Sequence, residues 1–301
     1  QYVLDFSRAE VVDHIYEMVA KILSESKVSY IKWDMNRSIT ECYSLALAPN
    51  RQGEVFHRYV LGLYSLYERL TANFPHILFE SCASGGARFD AGMLYYAPQC
   101  WTSDDSDAAE RIKIQYGTSF GYPVVSMGAH VSAVPNHQLN RITPLSTRGN
   151  VAFFGAFGYE LDLQKLTEEE RKTVREQIRF MKRYRSVIQF GTFYRLQSPF
   201  EHNIAAWMAV SDDRRTAIVG YYKILNDVNC EYRRLRLKGL DPEKVYRVDQ
   251  TGICHGGDEL MNLGLVTTDS SAGQPTSGQP EEGFEVCTDF WSKLYVLTAD
   301  K

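Results

Sequence analysis

The segment Tyr30-Ile31-Lys32-Trp33-Asp34-Met35-Asn36-Arg37 brings an ammonium, a carboxylate and an amide close together along the chain. In an extended strand, residues two apart face the same way, so Lys32 and Asp34 share one face with Asn36 just beyond it. A lysine ammonium beside a carboxylate favours the charged form and lowers its pKa, as a nucleophile at neutral pH needs. Asn36 can supply a further donor. A structural Lys-Asp pair at a strand end, with Trp33 packing outward against a helix, would read the same way over this strand alone.

A second segment, Trp101-Thr102-Ser103-Asp104-Asp105-Ser106-Asp107, crowds three acids together between a predicted strand and a predicted helix. Their mutual repulsion is expected to raise the pKa of at least one, the property of a general acid. Two plainer readings compete: Ser103, Asp104 or Asp105 caps the following helix, or the acids hold a hard cation in a metal-dependent enzyme. Few other acids lie near predicted strand ends, and no Gly-rich phosphate loop accompanies them, which weighs against the metal. A third segment, Phe79 to Asp90, runs from a strand into small residues and the pair Gly85-Gly86. Such a turn lets backbone amides approach a ligand closely, although an ordinary strand-to-helix turn has the same composition.

These groups need elements to position them. The sequence predicts an opening strand at Tyr2–Phe6, a capping box at Ser7-Arg8-Ala9-Glu10 and a helix over about 8–25. Strands follow at 28–34, 77–80, 99–101, 124–127 and 155–159, alternating with helices near 54–73, 107–117, 144–155 and 167–188. Alternation of this kind implies parallel strands with right-handed crossovers, as an open doubly wound sheet or a closed eight-stranded barrel. No dinucleotide-binding glycine fingerprint follows the first strand. In a barrel, the C-terminal strand ends that carry Asp34 and Asp104 are where chemistry sits.

Beyond Phe190 the pattern becomes all-β, with strands at 204–210, 216–223, 232–237, 244–249 and 290–297. The fold class is therefore α/β: a partial (β/α)8 barrel, from about its third strand onward, over residues 1–191, then an antiparallel β-sandwich over 192–301. The stretch 267–283, rich in Ser, Gly, Pro and Thr, reads as a surface loop.

Composition sets limits. With 44% hydrophobic residues, 23% charged residues and a formal net charge of -4, the chain has the makeup of a globular domain and nothing that draws nucleic acid or an anionic membrane. The 19 Tyr, 15 Phe and 4 Trp suit a protein that stacks on sugars and suit a large β-rich core equally. Cysteines at 42, 82, 100, 230, 254 and 287 have neither zinc-site spacing nor disulfide density, which favours a reducing cytoplasm. No apolar run is long enough to span a bilayer. The absence of Met at position 1 creates the expectation of an upstream segment.

Taken in order, Lys-Trp-Asp-Met-Asn-Arg, Ser-Cys-Ala-Ser-Gly-Gly-Ala-Arg-Phe-Asp and Trp-Thr-Ser-Asp-Asp-Ser-Asp-Ala resemble the motifs of the retaining α-galactosidases of glycoside hydrolase family 36. The resemblance extends through the β-domain. It implies that Asp34 is the nucleophile and Asp104 the acid/base, the latter by standing three residues after the tryptophan, with Asp105 its rival. It further implies that Lys32, Asn36, Cys82, Gly85 and Trp101 bind the galactosyl unit of small oligosaccharides such as melibiose and raffinose, with no metal or organic cofactor. His130, His137, His202 and His255 have no task in this chemistry and read as structural or surface residues, with His255-Gly256-Gly257-Asp258 a turn.

Members of the family carry a β-sandwich and the first barrel strands upstream of this region, and often form tetramers. The chain by itself is thus expected to have little or no activity. Galactosyl transfer of the raffinose-synthase type and α-N-acetylgalactosaminidase activity are neighbouring alternatives; the Cys82 region matches the galactose-type pattern. A non-catalytic sugar-binding remnant is the alternative from another class.

Overall fold

The computed structural model of the protein describes residues 3–226, 233–267, 269–270 and 285–299. The chain forms two compact units, Gln1–Asp104 and Asp105–Lys301.

In the first unit, helix α1 (Ala9–Glu25) precedes β1 (Tyr30–Asp34), α2 (Val55–Asn73), β2 (Leu78–Cys82), α3 (Ala91–Tyr96) and β3 (Gln99–Trp101). The strands are parallel, and their register sets Lys32 opposite Glu80, Asp34 opposite Cys82, and Glu80 opposite Gln99. The apolar face of α2 supplies Leu63, Leu66, Tyr67 and Leu70 to a core that also takes Val12 and Leu23 of α1 and Phe79 of β2. Each fully buried leucine there contributes about 1.5–3 kcal/mol. Trp33 turns outward into this core, 5.6 Å from the Tyr67 ring, so period-two alternation leaves Lys32 and Asp34 on the opposite face.

The start of the chain differs from the expectation in two ways. Residues 3–5 form no ladder, and the Phe6 amide donates to the Leu4 carbonyl instead. Ser7 is not a cap: α1 begins after Arg8 without a side-chain cap, because the Ser7 hydroxyl is engaged by Asp5 and the Glu10 carboxylate by Arg8. Local polar partners outcompeted the reciprocal box. The short helix α3, which periodicity did not reveal, is capped by Asp90 through the Met93 amide at 2.8 Å.

The second unit begins with α4 (Ala108–Thr118), β4 (Met127–Ser132), α5 (Leu145–Ala152), β5 (Ala156–Glu160) and α6 (Glu168–Phe190), with β4 and β5 parallel. Residues 124–126, expected as strand, form a 3-10 turn closed by the Ser126 amide on the Pro123 carbonyl. The α5 helix stops at Ala152 rather than near 155, since the chain must reverse where Gly155 passes the Ala129 side chain and the Met127 carbonyl. Thr167 and Glu170 form a true reciprocal cap at the start of α6.

An antiparallel sheet follows, including β6 (Thr192–Gln197), β7 (Ile204–Val210) and β8 (Thr216–Lys223) and the strand Trp291–Ala299 beside β8. Alternate residues of β7 enter two different cores. Ala205, Trp207 and Ala209 join Phe154, Met181 and Ile188 from the helical side. Ile204, Ala206, Met208 and Val210 join Tyr246, Leu260 and Tyr295 on the other side. Burial on both faces explains why β7 reads as a continuous apolar run. The strand expected at 232–237 is reduced to Arg234–Leu235 among the described residues, and most of 267–283 lies outside them. His255 to Asp258 is not a turn. Strand Cys254–Gly256 leads directly into a short helix, Gly257–Asn262, held by His255 Nδ1 to Glu259 Oε1 at 2.9 Å.

Candidate active site

All seven residues predicted for the site lie in the first unit. Asp34 is exposed at the end of β1, and Asn36 Nδ2 donates to its Oδ2 at 2.7 Å. The amide of Asn36 is used at both ends, because its Oδ1 accepts the Ser84 backbone N–H at 2.7 Å. Asn36 therefore ties the nucleophile candidate to the turn after β2. The Met35 amide donates to the Cys82 carbonyl at 2.8 Å. Arg88 donates to the carbonyl oxygens of Met35 and Arg37, the latter at 2.9 Å, and fixes the backbone beyond Asp34.

The turn itself needs its glycines. Ser84 and Gly85 have φ of 51° and 77°, and a Cβ on Gly85 would lie 2.5 Å from Ser103 Cα and 2.8 Å from the Asp104 nitrogen. Only glycine fits a left-handed position with a backbone that near. This approach places the Asp104 backbone directly against the Cys82–Gly86 turn. Cys82, opposite Asp34, is 5% exposed; burial, opposed by the Gly85 amide and reinforced by the Asp34 carboxylate, pushes its thiol up to about 11. The thiol is therefore neutral near pH 7.

Lys32 Nζ stands 5.0 Å from the centroid of the buried Trp101 ring and 3.9 Å from Glu80 Oε1. Its ammonium is thus held between an aromatic face and a buried carboxylate. The structure adds a polar row that the sequence reading did not assign: Tyr30 donates its hydroxyl to Glu80 Oε2, and Gln99 Nε2 donates to the same oxygen at 3.1 Å. The available signal was periodicity, since Glu80 stands two residues before Cys82 and Tyr30 two before Lys32 on the same faces.

Of the three clustered acids, two have structural work. Asp107, in the second unit, caps α4 by accepting from the Ala109 and Glu110 amides at 3.0 and 3.1 Å, and it pairs with Arg141. The Asp105 carboxylate accepts the Asp107 amide at 3.0 Å. The helix cap is therefore Asp107, not Ser103, Asp104 or Asp105, because the helix starts at Ala108, two to four residues later than those candidates require. Asp104 is exposed. Among the described residues, no three His, Cys, Asp or Glu side chains are grouped as metal ligands, and no helix is long and apolar enough to cross a membrane.

The Melibiase family matches residues 1–191, and the glycosyl hydrolase family 36 C-terminal domain matches 204–297. α-Galactosidase AgaA of Geobacillus stearothermophilus is 56% identical over 88% of this chain, and α-galactosidase Mel36A of Lactobacillus acidophilus is 49% identical over 88%. The chain spans 36% of the length of each of these relatives. The crystal structure of AgaA superposes with a TM-score of 0.91 at 52% identity, covering 99% of this chain and 39% of that one. The α-galactosidase of Lactobacillus brevis gives a TM-score of 0.92 at 50% identity, covering 100% and 39%. AgaA variants have been solved with raffinose and with stachyose. The fold is thus part of a (β/α)8 barrel followed by an antiparallel β domain. The chain belongs to glycoside hydrolase family 36.

Proposed function

We propose that this chain carries the two catalytic carboxylates of a retaining α-galactosidase, with Asp34 as nucleophile and Asp104 as acid/base. Asp104 protonates the departing glycosidic oxygen while Asp34 bonds to the anomeric carbon; Asp104 then deprotonates the water that releases galactose with its configuration retained. Retention requires carboxyl groups about 5–5.5 Å apart, leaving no room for water on the nucleophile's side. Lys32, Asn36, Cys82, Gly85 and Trp101 contact the galactosyl unit, and small α-galactosides such as raffinose and melibiose are the substrates. Residues 1–191 form the catalytic portion and 192–301 the β-sandwich.

The observation that carries this reading is the convergence of Asp34, Cys82 and the Asp104 backbone through one glycine turn. Relatives solved with raffinose and stachyose support the substrate class. Residues 1–301 expressed alone are proposed to hydrolyse melibiose weakly or not at all: among the described residues β1 pairs on one side only, and none of its five residues is buried. The test is to react the intact protein bearing this chain with an activated 2-deoxy-2-fluorogalactosyl reagent and map the adduct by mass spectrometry. An adduct on Asp34 is expected. Labelling elsewhere, or turnover with inverted product, overturns the proposal.

A further inference from the structure

The mechanism above gives no role to Glu80, yet this carboxylate is 2% exposed in the middle of β2. Removing a carboxylate from water costs several kcal/mol unless partners compensate, and a well-packed apolar residue of similar size is often no less stable. Its partners are specific. Tyr30 and Gln99 both donate to Oε2. Oε1 has no hydrogen-bond partner among the described residues and lies 3.9 Å from Lys32 Nζ. Partial burial, then the bond to Glu80, raises the Tyr30 phenol well above its ordinary range, so it stays a donor even in alkaline solution.

Register explains why these groups meet. Lys32, Glu80 and Gln99 are paired in one row across β1, β2 and β3, one step below the row that holds Asp34 and Cys82. Lys32 reaches upward between Glu80 and the Trp101 ring. A lysine side chain has four rotatable carbons and about 2 kcal/mol of rotamer entropy, so without an anchor its ammonium samples many positions. Two donors fix one Glu80 oxygen, and the other is left facing the ammonium.

We infer that Glu80 is a positioning residue, held by Tyr30 and Gln99, whose free oxygen aims the Lys32 ammonium at the galactosyl subsite. This rests on the reading of that subsite given above. The carboxylate does not touch the reacting atoms; it acts through Lys32, so its loss weakens sugar binding more than bond cleavage.

The test uses the intact protein with nitrophenyl α-galactoside. Glu80→Gln keeps the size and the Tyr30 and Gln99 bonds and removes the charge. KM is expected to rise roughly tenfold, with kcat within about threefold of the parent, the size of effect one charge-assisted contact produces. Tm is expected to change little, because the Lys32 ammonium left without its partner is more than a third exposed to water. In a Lys32→Gln background the same change adds nothing further, because the two residues act in series. A KM within about twofold of the parent, or full additivity with Lys32→Gln, overturns the inference. Should Glu80→Gln fail to fold, Tyr30→Phe decides: a raised KM supports the role and an unchanged one refutes it. Asp34→Asn is the separating control, since retained activity there sinks the assignment of the site, whereas a dead Asp34→Asn beside a normal Glu80→Gln sinks this inference alone.

Discussion

Strands β1 and β7 are built on opposite plans. Every one of the seven residues of β7 is buried, while none of the five residues of β1 is. β7 is held by apolar contact on both faces, with Trp207 1% exposed and 4.6 Å from the Tyr222 ring. β1 is held on one face by Trp33 against α2; on the other, Tyr30 and Asp34 take part in hydrogen bonds and Lys32 in an ion pair with Glu80. The difference teaches where each kind of energy goes. Apolar burial is non-directional and stabilises the fold, whereas the polar rows of β1–β3 are directional and fix the positions of individual atoms.

That contrast can be broken most directly at Asp34. Asp34→Asn keeps the side chain's shape and its place beside Asn36, so kcat is expected to fall by about three orders of magnitude or more with little change in Tm. Steady-state kinetics and calorimetry on the intact protein check both halves. Trp207→Ala is the converse: it opens a large hole between β7 and the helices and is expected to cost about 3–5 kcal/mol of stability. Kinetics of the folded fraction at low temperature should be unaltered. A catalytic defect that persists at full foldedness would show that the two plans are not separate.

A smaller effect sharpens the comparison within the site. Asn36→Ala removes the donor to Asp34 and the acceptor for the Ser84 amide together. A loss of about tenfold to a hundredfold in kcat/KM is expected, the range for a hydrogen bond to a charged group. If KM alone changes, Asn36 binds sugar without orienting the nucleophile. The smallest effect concerns thiols. Cys254 is exposed, whereas Cys82 is buried with its thiol pushed up to about 11. Iodoacetamide near pH 8 is therefore expected to label Cys254 and spare Cys82, and mass mapping after brief exposure distinguishes them. Reaction at Cys82 should grow as pH rises toward 11, because the thiolate fraction grows with it.

Long apolar runs gave the clearest sequence reading: the strands expected at 204–210 and 216–223 are those observed. β6 was missed because its residues are mostly half-buried, so neither a continuous apolar run nor a clean alternation marks it. Terminal details failed for a different reason. Ser7 and Glu10 had the spacing of a cap, but Asp5 and Arg8, each two residues away, compete for them, and the distant Ser44 adds a further partner for the Ser7 hydroxyl. Likewise His255-Gly256-Gly257-Asp258 has turn composition, yet Gly257 starts a helix because its amide finds the Lys244 carbonyl at 2.8 Å.

The sequence by itself determined which residues share a face. Period-two alternation alone sets Lys32 with Asp34 and Glu80 with Cys82, and the glycine pair alone announces a turn. Tertiary structure decided which faces meet. Register across β1, β2 and β3 joins residues some fifty and twenty positions apart into the row of Lys32, Glu80 and Gln99. Helix placement likewise assigned the cap to Asp107 and left Asp104 exposed. Neither outcome is local: each depends on hydrogen bonds between segments that sequence spacing does not relate, and only folding brings them within reach.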